Sequence, residues 1–241
     1  MALIYLDIEL ERFVYFADLF GIAVFAITGV LAARGKQIDL FGVMVLALAT
    51  SLGGGTLRDL ALNAHPLIWI ADPLLIWTAI GAAFMTFVYC RFFKMPRRAM
   101  LVFDAAGLAL FAIAGAEKAM ALGFSPLIAV IMGISTGCAG GVIRDVLTGK
   151  IPGILQHDEF YATCALIGAT FYVLMHGHLD PNLLAFTSMA IIFVVRLIAI
   201  YTGLRLPVFV VAGIDRTPRR VLGFRQKRWT VRHIKQDKES K

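Results

Sequence analysis

The sequence predicts an all-α membrane protein with seven transmembrane helices, arranged as an inverted repeat of three plus three helices followed by a seventh helix. Three observations support this prediction. Hydrophobic residues make up 59% of the 241 residues and charged residues only 16%, whereas soluble domains are about 45–50% apolar and about 25% charged. Seven apolar stretches are each close to the roughly 20 residues that cross a bilayer as a helix. The first three stretches and the next three also share a sequence pattern at a constant offset.

The predicted spans follow one another with short loops. They cover about residues 13–33, 40–60, 67–90, 99–116, 124–147, 160–176 and 183–204. The third span could also start only at Pro73, because Asp72-Pro73 is typical of a helix start with proline at its first position. We expect one transmembrane domain over residues 1–204 and a basic tail over 205–241. The expected parts of the domain are repeat one at 13–91, repeat two at 99–177 and the seventh helix at 183–204.

A motif that combines glycines with an arginine–aspartate pair occurs twice. It reads GGGTLRD at 53–59 and AGGVIRD at 139–145, an offset of 86 residues. The same offset, without a gap, aligns Asp18 with Asp104, Gly21 with Gly107, Phe25 with Phe111, Thr50 with Thr136 and Pro66 with Pro152. This self-similarity indicates an internal duplication. Because each copy holds three spans, an odd number, the second copy is expected to enter the membrane from the opposite side, as in the inverted repeats of transport proteins.

Basic residues in the loops predict the orientation of the chain. Lys and Arg of short loops stay preferentially in the cytoplasm. They lie here in the loops after the first, third and fifth spans, whereas the loops at 63–66 and 177–182 contain none. The tail from Arg205 to Lys241 has 11 Lys or Arg against 3 acidic residues. We therefore expect a multi-pass protein of the plasma (inner) membrane, with its N-terminus outside and its C-terminus in the cytoplasm.

The glycines of the second and fifth spans have two interpretations. Small residues at every fourth position, such as Ala47, Ser51 and Gly55, let membrane helices approach closely. A run of glycines also weakens a helix and can free backbone carbonyls, which a membrane tolerates where they line a wet cavity. We favour broken helices, with kinks at Gly53, Gly54, Gly55, Gly140 and Gly141. Freed carbonyls carry partial negative charge and are expected to form transient sites for K⁺ or Na⁺ near these glycines, without a tightly bound metal. Further contacts to the ion are expected from the hydroxyls of Thr50, Ser51, Ser135 and Thr136.

Six charged residues of the predicted spans belong to the repeated pattern: Asp18, Arg58, Asp59, Asp104, Arg144 and Asp145. A charge at the bilayer centre costs about 3 kcal/mol, so partners at matched depth are expected. We predict that Asp18 pairs with Arg58 or its surroundings, and that Asp104 pairs with Arg144. Such pairs either lock the repeats together or face an aqueous path and set its preference for one sign of charge. Arg196, inside the seventh span, is expected either to join Asp104 or Asp145 or to snorkel to the membrane surface, and we favour the second.

The sequence contains no pattern expected of an enzyme, a metal site or a cofactor site. The three cysteines form no CxxC pair, and no HxxH or HExxH spacing occurs. GGGTLRD is not a dinucleotide-binding fingerprint, because it follows no strand of a βαβ unit. The basic tail is expected to bind anionic lipids. Nucleic acid is not an expected partner, because no recognisable binding motif accompanies the charge.

The doubled glycine and arginine–aspartate motif resembles that of prokaryotic members of the trimeric intracellular cation channel family, which also carry the label of a bacterial glycine transporter domain. The resemblance covers about residues 13–204. It implies a homotrimer in which each protomer contains an hourglass pore for monovalent cations, mainly potassium. It also implies that the glycines at 53–55 and 140–141 lie at kinks beside the pore and that the arginine–aspartate pairs adjoin it. Ala139 departs from the triple glycine of the first copy.

The predicted function is passive conduction of a monovalent cation, expected to be potassium, through a pore in each protomer lined by glycine-broken helices two and five. A secondary transporter of a small solute such as glycine is the alternative, because it shares the inverted-repeat architecture. A lipid-binding or scaffold protein with purely structural charges is a third class. Electrical recording of the reconstituted protein distinguishes the three classes.

Overall fold

The structure is a computed structural model that describes residues 2–96, 98–156 and 160–203, with side chains from residue 15 onwards. The predicted basic tail at 205–241 lies outside the described residues. The α-helices of the described part are α1 (Ala2–Ala32), α2 (Leu40–Ala61), α3 (Ile68–Ala71), α4 (Leu74–Phe92), α5 (Ala99–Ala121), α6 (Pro126–Leu147), α7 (Ala162–Met175) and α8 (Pro181–Thr202).

The predicted all-α membrane fold is confirmed. Six helices of the described part, α1, α2, α4, α5, α6 and α8, are long and apolar enough to cross a membrane. The predicted sixth span is α7, which is apolar but has only 14 residues, fewer than the roughly 20 of a full crossing. The third span begins at Leu74, directly after Asp72-Pro73, and the single turn α3 precedes it.

Prolines and aspartates define several helix ends. Pro126 and Pro181 occupy the first turns of α6 and α8. A backbone N–H in the first turn has no partner within the helix, so proline, which lacks this N–H, is tolerated there. The carboxylates of Asp39 and Asp180 accept hydrogen bonds from backbone N–H groups in the first turns of α2 and α8, which satisfies donors that the helices leave free. Gly203 ends α8 with φ of 68°, a left-handed conformation that glycine adopts without strain.

Equivalent residues of the two repeats contact each other where α1 packs against α5. The rings of Phe25 and Phe111 stack, with centroids 5.3 Å apart and planes inclined by 8°. A Cβ atom on Gly21 would lie 3.0 Å from the ring of Phe111, and one on Gly107 would lie 2.7 Å from the ring of Phe25. Contacts that are reciprocal in this way are typical of two units related by an approximate twofold axis.

The glycine motifs form a second reciprocal contact, where α2 crosses α6. A Cβ atom on Gly54 would lie 2.5 Å from the carbonyl oxygen of Thr136, and one on Gly140 would collide with the carbonyl oxygen of Thr50. The two helices therefore approach with backbone against backbone, as small residues allow in membrane proteins.

The predicted helix breaks at Gly53–Gly55 and at Gly140–Gly141 are wrong in this structure. α2 is helical without interruption from Leu40 to Ala61, and α6 from Pro126 to Leu147. Glycine in a helix interior costs only about 1 kcal/mol relative to alanine, and close packing of the neighbouring helix can offset this cost. The interpretation as close packing therefore accounts for Gly54 and Gly140.

The apolar residues form two main cores. One lies among α1, α2 and α4 and includes Phe25, Val43 and Leu75. The other lies among α5, α6, α7 and α8 and includes Leu108 and Ile192. α8 packs on α5 and α7, so the second repeat has a helical cover for which repeat one contains no equivalent. This cover is the main difference between the surroundings of the two copies of the motif.

Candidate functional site

Two groups of charged side chains lie near the C-terminal ends of α2 and α6. The first charge cluster consists of Asp18, Arg58, Asp59 and Lys118, and the second of Asp104, Arg144 and Asp145. Apart from Lys118, each of these residues is buried, with at most 7% of its surface exposed. Burial of a charge is costly unless a partner compensates it, so the contacts within each cluster decide its stability.

In the second charge cluster, Arg144 bridges two carboxylates. Its Nη1 donates to Oδ1 of Asp104 at 2.5 Å, and its Nε donates to Oδ1 of Asp145 at 3.0 Å. Asp145 also accepts a hydrogen bond from the backbone N–H of Gly153 at 3.1 Å. The structure thus contains the predicted pair of Asp104 and Arg144, which joins α5 to α6.

In the first charge cluster, Asp59 rather than Asp18 accepts the hydrogen bond of Arg58. Nε of Arg58 donates to Oδ1 of Asp59 at 2.8 Å, and Nζ of Lys118 donates to the same oxygen at 2.7 Å. The backbone N–H of Ile68 donates to the other oxygen at 3.0 Å. The structure therefore contains no ion pair between Asp18 and Arg58, but both residues line one cavity, so the prediction holds in its wider form, with Asp18 in the surroundings of Arg58. Oδ1 of Asp18 is buried without a hydrogen-bond partner in the described part of the chain.

Lys118 was not predicted from the sequence as a member of the site. The fourth span was expected to end at residue 116, but α5 continues to Ala121. The equivalent of Lys118 in repeat one is Ala32, so comparison of the repeats contains no signal for a charge at this position. Continuing the apolar helix by one turn would have placed Lys118 near the aspartates of the first cluster.

Each charge cluster borders a cavity, and the two cavities share equivalent lining residues. Asp18, Gly55, Arg58 and Ile68 line a cavity of about 10 Å³, and their equivalents Asp104, Gly141, Arg144 and Ile154 line one of about 270 Å³. The smaller volume is close to the minimum that holds one water molecule, whereas the larger has room for several. The same residue types thus enclose very different spaces in the two repeats.

The predicted hydroxyl contacts divide into buried and exposed groups. Thr50, Ser51 and Thr136 are buried, and each hydroxyl donates to a backbone carbonyl one turn earlier in its own helix, at 2.6 to 2.8 Å. Ser135 lies on the exposed face of α6. The structure therefore brings three of the four hydroxyls into the protomer interior and leaves Ser135 outside it.

Tyr161 and Arg196 extend the second charge cluster. The guanidinium of Arg196 lies over the ring of Tyr161, 4.9 Å from its centroid, and its Nη1 donates to the carbonyl of Phe160 at 3.2 Å. Arg196 is only 1% exposed, so the predicted snorkelling is wrong, because the ring and the carbonyl stabilise the cation inside the protein. Tyr161 lines the larger cavity, and its buried hydroxyl has no hydrogen-bond partner among the described residues. Its equivalent is Leu75, which contributes no polar group in repeat one.

Outside the membrane-spanning segments, Asp72 connects α1 to the start of α4. The hydroxyl of Tyr15 donates to its carboxylate at 2.7 Å, and the backbone N–H of Leu74 donates at 2.9 Å. These hydrogen bonds stabilise the ionised form and lower the pKa of Asp72 below its usual value, with the bond from Tyr15 as the largest cause. Asp72 is therefore ionised at neutral pH.

Within the described ranges, no group of three or more His, Cys, Asp or Glu residues is placed to hold a metal ion. Cys90, Cys138 and Cys164 are free thiols. The side chains that line the two cavities carry carboxylate, guanidinium, ammonium, amide, indole, hydroxyl and phenol groups.

The fold and the two clusters define an all-helical, multi-pass membrane protein whose two homologous halves meet at their glycine motifs. A sequence model described as Glycine transporter matches residues 15–91 and 101–177, two segments that begin 86 residues apart. The structure is similar to that of the TRIC trimeric intracellular cation channel orthologue from Rhodobacter sphaeroides. The two are 37% identical with a TM-score of 0.75, over 79% of this chain and 98% of that one.

Further relatives agree with this similarity. A prokaryotic TRIC channel, crystallised in 0.5 M KCl, is 29% identical with a TM-score of 0.76, over 81% of this chain and 100% of that one. The UPF0126 inner membrane protein YadS of Escherichia coli is 43% identical, over 81% of this chain and 96% of the relative. A UPF0126 membrane protein of Vibrio cholerae is 44% identical, over 81% and 82%. The chain belongs to the prokaryotic branch of the trimeric intracellular cation channel family, for which Glycine transporter is the name of the sequence model.

Proposed function

We propose that this protein is a channel that conducts monovalent cations, with potassium as the expected ion. The observation that carries the proposal is the pair of equivalent, carboxylate-lined cavities on the two sides of the α2–α6 crossing, in a chain that belongs to a cation channel family. Paired cavities at a repeat interface are typical of membrane pathways. Asp18 and Asp104 supply the negative charge that favours cations over anions.

The proposed path differs from the predicted one in its lining. Because α2 and α6 are continuous, the transient K⁺ or Na⁺ sites use the carboxylates of Asp18 and Asp104 beside Gly55 and Gly141, rather than carbonyls freed by a helix break. Gly53, Gly54 and Gly140 keep the crossing close, and Thr50, Ser51 and Thr136 supply hydroxyl oxygens near it. Arg58, Asp59, Arg144 and Asp145 adjoin the path and maintain its shape.

The stacked pair of Phe25 and Phe111 separates the two cavities in this proposal and closes the path. Phe25 is 1% exposed and Phe111 4% exposed, and the stack lies between the repeats. Buried apolar rings present no ligand to an ion and exclude water, as hydrophobic constrictions do in channels that gate by dewetting. Conduction then requires the two rings to separate.

The proposal extends to assembly and orientation. We propose a homotrimer, because structural neighbours are described as trimeric channels, with one path in each protomer. The three-plus-three repeat is inverted across the membrane, the N-terminus is outside and the C-terminus is cytoplasmic, as the distribution of Lys and Arg among the loops indicates. The tail at 205–241 then contacts anionic lipids of the cytoplasmic leaflet.

A secondary transporter is the second candidate, and the unequal cavities favour it. A rocking transporter opens one side of a midplane site while it closes the other, and volumes of about 270 Å³ and about 10 Å³ match that asymmetry. The substrate would be a small solute such as glycine.

The experiment that tests the proposal is electrical recording of the purified full-length protein in a planar bilayer with potassium chloride. We expect unitary potassium currents. When a potassium chloride gradient is imposed, their reversal potential should shift towards the equilibrium potential of K⁺ and away from that of Cl⁻. Saturable solute uptake without unitary currents would support the transporter instead. Absence of both signals would leave only a scaffold or lipid-binding role.

Truncation of the aromatic stack is expected to increase the time that the channel spends open. Phe25→Ala and Phe111→Ala each remove one ring of the constriction, so the open probability should rise several-fold in the same bilayer assay. Phe193→Ala is the control, because Phe193 packs in the core of the second repeat on α8 and does not belong to the stack. Unchanged open probability in both stack variants would contradict a gate at this position.

A further inference from the structure

A basic cavity of about 320 Å³ lies where the end of α1, the start of α2 and the end of α4 meet. Its lining includes four basic side chains: Arg34, Lys36, Arg91 and Lys94. No acidic side chain occurs among the described residues that line it. The cavity is separate from the two that border the charge clusters, and nothing in the proposed conduction path uses it.

The remaining wall of the basic cavity is apolar. Val30 from α1, Val43 from α2 and Phe87 from α4 belong to it, and all three side chains come from membrane-spanning helices. Phe93, 59% exposed, lies at its rim. Cationic groups next to an apolar wall suit a ligand that is itself amphiphilic, with an anionic head and a hydrocarbon chain. A free inorganic anion would leave the apolar wall without a partner.

Two of the four basic groups are already positioned. Nη1 of Arg34 donates to the carbonyl of Met95 at 2.6 Å, and Nζ of Lys36 donates to the carbonyl of Thr148. The ion pairs of the described residues all lie within the two charge clusters, so a carboxylate neutralises none of these four cations there. An anion at this place would compensate the charge, and arginine in particular suits the geometry of a phosphate group.

We propose that the basic cavity binds the headgroup of an anionic phospholipid. Arg91 and Lys94 contact its phosphate, and an acyl chain follows the apolar wall along Val30 and Phe87. The site belongs to the helical core of the protein and is distinct from the expected contact of the tail with lipids. It does not depend on the proposed channel activity, so each can fail without the other.

The test measures lipid binding to the full-length protein in detergent by native mass spectrometry. Phosphatidylglycerol is the anionic probe and phosphatidylcholine, which carries no net charge, the comparison. The unmodified protein is expected to bind phosphatidylglycerol about tenfold more tightly. The double variant Arg91→Gln/Lys94→Gln is expected to lose most of this preference, about five- to tenfold in affinity for phosphatidylglycerol, and little for phosphatidylcholine.

Arg98→Gln is the matched control. Arg98 is basic and close in sequence, but it does not line the cavity, and its guanidinium lies over the ring of Tyr201 at 5.5 Å. Its replacement should change the affinity by about twofold or less. Thermal unfolding without added lipid verifies that both variants fold.

Four outcomes would overturn the proposal. Equal affinity of the unmodified protein for the two lipids would exclude recognition of an anionic headgroup. An equal loss in the double variant and in Arg98→Gln would indicate general attraction of charge, and no loss in the double variant would assign the binding to another surface, such as the tail. Full displacement of the lipid by millimolar inorganic phosphate would identify a phosphate site instead of a lipid site.

Discussion

Replacement of Arg144 by glutamine is expected to lower the free energy of unfolding by about 3–5 kcal/mol, because it leaves two buried carboxylates without their cation. Arg144 is 5% exposed and donates to both Asp104 and Asp145. Asp145 keeps the hydrogen bond from Gly153, so most of the loss is expected from Asp104. Denaturation of the purified protein in detergent, followed by circular dichroism, measures the change.

The equivalent residue of repeat one supplies the control. Arg58→Gln should cost clearly less, because Asp59 keeps the ion pair with Lys118 and the hydrogen bond from Ile68. Addition of Asp104→Asn to Arg144→Gln should recover part of the lost stability, since the double variant buries no unpaired carboxylate. Equal losses in the two arginine variants would contradict the difference between the clusters. Bilayer recording of both variants also shows whether the arginines act only on stability, in which case conductance is unchanged.

Gly54→Ala is expected to destabilise the protein by about 1–3 kcal/mol through overpacking. The new methyl group would lie 2.5 Å from the carbonyl oxygen of Thr136, and a backbone atom cannot rotate away, so α2 and α6 must separate. Because the same crossing lies between the two proposed cavities, the separation should also alter conductance. Unfolding in detergent and bilayer recording measure the two effects.

Gly55→Ala is the matched control for the crossing. The nearest atoms to a Cβ at Gly55 are 3.9 Å away, on the side chains of Arg58 and Ile68, so the methyl group fits. Alanine is also the better helix residue by about 1 kcal/mol, and the variant should be as stable as the parent or more stable. A helix broken at the glycine run predicts the opposite, namely that both substitutions disturb the fold to a similar extent.

Gly54 and Gly55 show which structural features can be predicted from the sequence and which cannot. Helix-weakening glycines and small residues at every fourth position occur together in GGGTLRD, and the letters alone do not distinguish a break from a close contact. The distinction depends on where α6 runs relative to α2, which is a property of the packed structure. Gly54 faces the neighbouring backbone, whereas Gly55, one position further along the helix, faces the side chains of Arg58 and Ile68 at a distance that leaves room for a methyl group.

The ion pairs illustrate the same limit. The pairing of Asp104 with Arg144 could be predicted, because both residues belong to the repeated pattern and lie at matched depth. The prediction that Asp18 pairs with Arg58 or its surroundings holds only in its wider form, because Lys118 of repeat two binds Asp59 of repeat one and Asp59 accepts the hydrogen bond of Arg58. Lys118 has no charged equivalent in the other repeat, so symmetry could not indicate it.

The sequence by itself determined the membrane class, the order of the helices, the duplication at an offset of 86 residues and the residues of the two charge clusters other than Lys118. These features follow from patterns along one dimension, namely apolar length, helix punctuation and self-similarity. Only the tertiary structure decided which glycines contact the neighbouring helix, which carboxylate pairs with each cation and how large each cavity is. Those outcomes depend on contacts between helices, and α8 packs mainly on the second repeat, so two similar sequences come to lie in different surroundings.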